Sequence, residues 1–294
     1  LAESFDDLQN KYSSVIENTN DSLNNKNTLD ILYDFDELKM YFGEDYWVTD
    51  RICIKQPTIG DILKFGDVKF YSMINTLCAN TTTFRLDLWK NGVDWNKLSD
   101  FTLFSSIIKG YTPENTYLIF GDLNLSWFEV IPNEETKSNI LVYIPRDKTG
   151  HVLPFDYKNP IIIDELIYMK MIKYLRTMFN INPKVERAKN KATKEAIIWE
   201  DEMNLKKEAE KKKDKGYTSS FLLPLISSMV NHPGFKYKLQ ELKEVGIVQF
   251  MDSVKRLQLY ENTTALMSGV YSGMLDSSKM NLSKELNWLK DLNE

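Results

Sequence analysis

The sequence predicts a mainly α (α+β) protein: a helical cluster with a small antiparallel β-meander around residues 125–153 and a projecting charged helix. Three observations predict it. Apolar residues recur at three- and four-residue steps through much of the chain, the period of helices with one buried face. The stretch 125–153 instead alternates, with aromatic and β-branched residues between polar turns. Residues 185–215 carry only a thin apolar stripe and run out into almost pure charge. The expected organisation is an N-terminal arm at 1–27, an α+β region with the meander at 28–155, and a helical region at 156–294 containing the charged arm 185–215.

Residues 1–27 are polar. Leu8, Tyr12, Val15 and Ile16 suit a short amphipathic helix, and the Asn-rich run 18–26 reads as a linker. Residues 29–42 fit strand or helix, and 47–54 alternate as a strand with Val48, Ile52 and Ile54. Pro57 cannot sit inside a helix, whereas Thr58 or Asp61 can cap one. A helix with Ile62, Phe65, Val68, Met73 and Leu77 follows, interrupted at Gly66-Asp67. A short helix covers 83–90. A third opens at Asp94-Trp95, carries Leu98, Phe101, Phe104 and Ile107, and closes at Gly110. Tyr117 to Phe120 is an apolar run before Gly121-Asp122. The meander then takes Trp127, Phe128 and Val130, the β-branched run 140–144, and a continuation from His151 to Leu153.

Pro160 leads through three isoleucines to Asp164-Glu165, whose carboxylates suit the first turn of a helix. Leu166, Met169, Ile172, Leu175 and Phe179 mark its core face. Asn182-Pro183 is a break. The next helix carries Val185, Ala188, Ala192, Ala196, Trp199 and Met203, then charge over 206–215. Thr218 is placed to cap a helix over 221–230, which Asn231-His232-Pro233-Gly234 stops. A long helix is expected from Phe235 or Tyr237, through Gly246, to Tyr260, with a bend or restart at Asn262-Thr263-Thr264. Leu286, Trp288 and Leu289 read as a tail anchor.

At 294 residues the chain can bury a sizeable core. A formal charge of −5 argues against a generic polyanion binder. Cys53 and Cys78 form no disulfide framework and no metal set, and His151 and His232 lie far apart. No apolar run reaches the ~20 residues that cross a bilayer. The chain begins Leu-Ala-Glu-Ser, without an initiator Met or a basic-then-apolar signal, so an unseen start or a cleavage is expected. These features and the Asn and Lys richness fit a bacterial or phage cytoplasm.

No motif carries recognisable chemistry. The chain lacks both G-x-x-x-x-G-K-[ST] and G-x-G-x-x-G. Gly269 and Gly273 flank Ser272 without G-x-S-x-G spacing, and small residues there suit packing. Glu135-Thr136-Lys137 has a nuclease-like E-x-K form but falls in a turn. The acids Glu200-Asp201-Glu202 point different ways on a helix, and the lysines of 206–215 are diluted by Glu208, Glu210 and Asp214. The expectation is therefore a non-enzyme without catalytic, cofactor or metal residues. What stands out is Trp199, on a stripe too thin for a core. Ala192, Ala196, Trp199 and Met203 are the predicted partner-binding residues.

Several phrases carry a resemblance. They are Gln56-Pro57-Thr58-Ile59-Gly60-Asp61-Ile62 followed by Phe70-Tyr71-Ser72-Met73, and Asp94-Trp95 with Phe101-Thr102-Leu103-Phe104. Leu118-Ile119-Phe120-Gly121-Asp122, Ala188-Lys189-Asn190-Lys191 and Gly269-Val270-Tyr271-Ser272-Gly273 with Glu285-Leu286-Asn287-Trp288 complete the set. Over about residues 50–292 the chain resembles tail assembly chaperones or minor tail-morphogenesis proteins of phages and prophages of Gram-positive hosts. The resemblance implies protein partners such as a tape measure protein or other tail proteins, with self-association as a further option. It carries no catalytic residues. A structural virion component and an inhibitor of a host defence enzyme are the alternatives.

Overall fold

The computed structural model describes residues 35–133, 138–147, 149–154, 160–215, 220–275, 281 and 286–289, with backbone alone at 133, 138 and 211–215. The N-terminal arm 1–27, Glu135-Thr136-Lys137, Thr218 and the side chains of Lys211, Lys212, Lys213 and Lys215 lie outside the described residues. Helices dominate, and the sheets are small and antiparallel.

Helix α1 (Glu37–Tyr41) starts at Asp36, whose carboxylate accepts from the Leu38 and Lys39 N–H groups. Strands β1 (Tyr46–Trp47) and β2 (Cys53–Ile54) pair antiparallel, so the expected single strand over 47–54 is two short ones around a turn. The Thr49 hydroxyl makes that turn by accepting from Arg51 and Ile52 N–H. Helix α2 (Ile59–Phe65) opens on a reciprocal cap: Asp61 N–H donates to Thr58 Oγ1, and Thr58 N–H donates to Asp61. Gly66, at φ +96°, ends α2 and turns the chain directly into α3 (Asp67–Leu77). That is the interruption the sequence places at Gly66-Asp67.

Helix α4 (Arg85–Lys90) is followed by α5 (Asp100–Ile107), which starts six residues after Asp94 because Ser99 is the cap. The run before Gly121 belongs to α6 (Pro113–Phe120), a helix with Pro in its first turn. The three-stranded sheet has the order β3 (Phe128–Asn133), β4 (Ser138–Tyr143), β5 (Ile162–Ile163). Its third strand is thus not the 151–153 stretch. Val152 instead bridges back to Arg146 across a loop tied by Asp147, which accepts from the Thr149 and His151 N–H groups. Ile163 pairs with Leu141, and both are buried, which explains why the isoleucine run before Asp164 is needed by the sheet.

Helix α7 (Glu165–Phe179) is capped by Asp164, which accepts from Ile167 N–H at 2.7 Å. Its buried face is Tyr168, Met171, Ile172, Tyr174, Leu175, Met178 and Phe179, whereas Met169 is exposed. The helix is turned relative to the face expected from its aliphatic residues, because two tyrosines are buried. The Tyr174 hydroxyl accepts from Gln56 Nε2 at 2.8 Å, so it can be buried without losing a polar partner.

Helices α8 (Lys191–Lys215), α9 (Leu222–Asn231) and α10 (Ile247–Tyr271) complete the fold. Gly246 is not inside a helix: it precedes α10 in an extended conformation, and residues 241–244 form a separate 3₁₀ turn. From Gly246 α10 runs without restart through Asn262-Thr263-Thr264. Backbone bonds join the start of α2 to the start of α10: Ile59 N–H donates to Val245 O at 3.0 Å and Ile247 N–H to Pro57 O at 3.1 Å. Gly60 makes this approach feasible, because a Cβ there would sit 2.7 Å from the Lys243 carbonyl oxygen. The main core mixes Ile54, Ile62, Phe70 and Ile74 with Met171, Leu175, Ile247 and Phe250.

Helix α9 is tied to α3 by Asp67. Its carboxylate accepts from Ser220 Oγ at 2.5 Å and from Leu222 N–H at 3.2 Å, while also accepting from Val68 N–H. Burial opposes ionisation of Asp67, but these donors outweigh it and the pKa is lowered. A lowered carboxylate pKa stabilises the fold above the ordinary value of ~3.9 and loses that contribution as pH falls through it toward the folded value. Amide exchange in α9 is therefore expected to accelerate first on acidification below about pH 4. Asp67→Ala, which removes the acceptors altogether, should produce the same loosening at neutral pH, by about 1 kcal/mol, as for loss of a helix cap.

Candidate partner-binding face

The segment before α8 and the first half of α8 dock together onto α4 and the loop after it. Residues 182–190 are not helical and the helix starts at Lys191 after the Asn190 cap, so Val185 and Ala188 are not on α8. Asn190 accepts from Thr193 N–H at 2.9 Å, which sets the start of the helix. The predicted stripe is corrected accordingly: on the helix it begins at Ala192. Ala188 goes the other way, into a second small core with Trp95 and Ile198, bordered by Leu86, Leu88, Trp89 and Ile197.

The docking is ionic around that small core. Arg85 donates from Nε and Nη2 to Asp201 at 2.5 and 2.7 Å, and from Nη1 to Glu186. Its bond to Asp201, against the opposing cost of burial and helped by Glu186, holds the guanidinium pKa above its ordinary value. Lys194 Nζ lies 2.6 Å from Asp94 Oδ2 and 5.9 Å from the centre of the Trp95 ring. The Lys194 bond lowers the Asp94 pKa, against a smaller effect of burial. Lys90 and Glu202 approach to 3.9 Å at the rim.

This docking orients the predicted residues. Ala192, Ala196 and Trp199 are exposed, Trp199 at 65%, and Met203 is half-buried. From Asn204 to Glu210 the described side chains are all exposed. The side of α8 that packs is Lys194, Ile197, Ile198 and Asp201, which the sequence reading passed over. Its spacing was a usable signal: positions 194, 197, 198 and 201 lie on one helical face, but that face begins and ends in a charge. What remains outward is a solvent-facing indole with Ala196 one turn before it and Met203 one turn after it, a surface suited to contact.

Elsewhere the candidate chemical groups are occupied by structure. Burial pushes the Cys78 thiol up to about 12, and burial also raises the pKa of Cys53. Such thiols are neutral near pH 7 and poor nucleophiles. His232 Nδ1 accepts from Gly234 N–H, and its Nε2 lies 3.3 Å from Glu261. His151 Nδ1 lies within hydrogen-bond distance of the Thr149 hydroxyl. Gly269 holds the end of α10: its carbonyl accepts from Met274 and Leu275 N–H, and the Leu275 side chain fills the place of its missing Cβ. Among the described residues no group of three or more His, Cys, Asp or Glu side chains is placed to hold a metal ion. No helix among them is long and apolar enough to cross a membrane.

Residues 211–293 match a protein family model described as YomV second domain. YomV is a Bacillus prophage protein. The matched segment takes in the end of α8, α9, α10 and the tail, and it begins beyond the Trp199 face. Comparison with curated proteins and with solved structures gave no match.

Proposed function

We propose that the chain is a non-enzymatic phage morphogenesis protein that works through protein–protein contacts in tail assembly, in the manner of a tail assembly chaperone. Trp199 carries this reading. A large aromatic is held out to solvent on a helix whose opposite face is pinned by Arg85 and Asp94. Tryptophan is highly buried on average, and tryptophan is among the residues enriched as anchors of protein–protein contacts. The match of 211–293 to a domain of a prophage protein supports the phage setting. On this reading Ala192, Ala196, Trp199 and Met203 receive an apolar helical segment of a tape measure protein or another tail protein, in the host cytoplasm.

Co-expression with the tape measure protein of the same phage tests the proposal. A co-purifying complex, together with absence of this chain from purified particles by mass spectrometry, is the expected result. Presence in mature particles would make it a structural component instead. If no complex forms and tails assemble normally without the gene, the proposal fails.

A further inference from the structure

We infer that the cleft between α7 and the start of α5 binds a small, elongated carboxylate: an apolar body with its anionic end at Arg176 and a neutral oxygen acceptor at Tyr168. The cleft encloses about 650 Å³, within the range of small-molecule sites. Its apolar wall is Leu98, Phe101, Met169 and Ile172. Two polar side chains of α7 that line it lack the partners their burial calls for.

Tyr168 is the first. It is 5% exposed, and its ring packs against Phe101 and Phe104. Its hydroxyl has no hydrogen-bond partner among the described residues, unlike that of Tyr174 on the same helix. A buried tyrosine hydroxyl normally finds one. The polar side-chain atoms sealed from solvent without a partner belong to Gln56, Tyr71, Asn96 and Thr263. Tyr168 is not among them, so the little of it that stays accessible includes the hydroxyl, which meets the cleft that the residue lines. Burial above all, then the nearby Asp100, raises its pKa, and Arg176 opposes them only in part. The group therefore stays an O–H donor.

Arg176 is the second, and it is half-buried. Its Nε donates to Cys78 O at 2.9 Å and its Nη2 to Ala79 O at 3.4 Å. Both acceptors are neutral, and no carboxylate among the described residues pairs with the guanidinium. A partly buried positive charge is thus left unmatched beside an apolar wall. The acids of the cleft are placed elsewhere. Asp100 accepts from Thr81 N–H at 2.8 Å, Glu186 is paired with Arg85, and Glu165 stands about three turns away at the opposite end of α7. Tyr168, Ile172 and Arg176 follow at four-residue steps on one face of α7. From the first to the last the helix rises roughly 12 Å. One small ion cannot serve both ends, whereas a molecule with an acceptor at one end and a carboxylate at the other can, its body lying over Ile172. None of Ala192, Ala196, Trp199 or Met203 lines this cleft, so it is separate from the α8 face.

The probe is 6-methoxy-2-naphthylacetate, titrated with the full chain and followed by its own fluorescence. Saturable binding below about 1 mM, the weak end of specific affinity, is expected. The primary amide, which keeps the shape and loses the charge, should bind at least about tenfold more weakly. The 6-methyl analogue, which loses the oxygen acceptor, should bind about fivefold more weakly, the size of one neutral hydrogen bond. Tyr168→Phe should bring the methoxy probe down to the level of the methyl analogue and leave the methyl analogue where it was. Arg176→Met should likewise equalise acid and amide. Trp199→Ala should change none of these affinities, which keeps this inference distinct from the tail-assembly reading. Absence of saturation up to about 1 mM overturns the inference. So does an amide that binds as tightly as the acid, or a preference for methoxy that survives Tyr168→Phe. Loss of binding in Trp199→Ala would place the probe at that indole and overturn it as well. Acid against amide, and methoxy against methyl, are compared on the unaltered chain, so a variant that fails to fold does not remove the answer.

Discussion

Trp95→Ala is expected to detach α8 while leaving the main core folded. Trp95 is 2% exposed and is the largest member of the small core it forms with Ala188 and Ile198. It also donates to Glu186 O and lies under the Lys194 ammonium. Removing a buried Trp side chain costs about 3–5 kcal/mol. The only other fully buried members of that core are an alanine and one isoleucine, so the partly buried Leu86, Leu88, Trp89 and Ile197 around it would have to collapse inward to refill the space. The surviving ion pairs cannot offset the loss. Arg85 with Asp201 and Lys194 with Asp94 are partly solvated, and such pairs contribute little net energy alone. The measurement is amide exchange resolved along the chain. Protection over 191–203 should fall by a hundredfold or more, while α7, which packs in the main core, keeps its protection. Parallel loss in α7 would show that the two clusters unfold as one, and the separable-arm view of α8 would be abandoned. Added salt should enhance the detachment in the variant, since screening acts on what still holds the helix.

The contrast between the two cores also explains what was legible beforehand. The helices that could be placed from sequence are those whose ends carry their own chemistry. Thr58 with Asp61, Gly66, and Asp164 each mark a boundary with local hydrogen bonds or backbone conformation, and each boundary stands close to its expected place. Where an end is set by distant residues, the reading slipped. Ile162 and Ile163 read as a lead-in to α7, yet they pair with Val142 and Leu141 some twenty residues earlier. Gly246 looked like a costly helix interior because nothing near it in sequence shows that Pro57 accepts from the next N–H. The α7 face was turned because burial of Tyr168 and Tyr174 depends on partners such as Gln56 that periodicity does not contain. The candidate site slipped for the same reason. Asp201 read as one of three acids pointing different ways on a helix, Lys194 drew no reading, and only the placement of Asp94 and Arg85 makes theirs the packed side of α8. Once that side is known, the outward position of Trp199 follows from helix geometry alone.

Trp199→Ala should therefore separate stability from binding. The side chain is 65% exposed, and its helix is held from the other face, so the unfolding midpoint should move by no more than about 0.5 kcal/mol equivalent. Against a tail-protein partner the same change should cost at least about 2 kcal/mol, close to a thirtyfold rise in Kd, because a central aromatic anchor loses most of its buried area in the complex. Two neighbours locate the contact. Ala196 precedes Trp199 by one helical turn and is exposed, so Ala196→Glu should also weaken the complex by adding bulk and charge where an apolar helix must approach. Glu210, which is exposed about two turns beyond Met203, should tolerate alanine with little effect. Isothermal titration of each variant with the purified partner gives these differences directly. A partner that binds Trp199→Ala as tightly as the parent chain does not use this face, and the contact would then have to be sought in α9 and α10, within the segment that matches the YomV second domain.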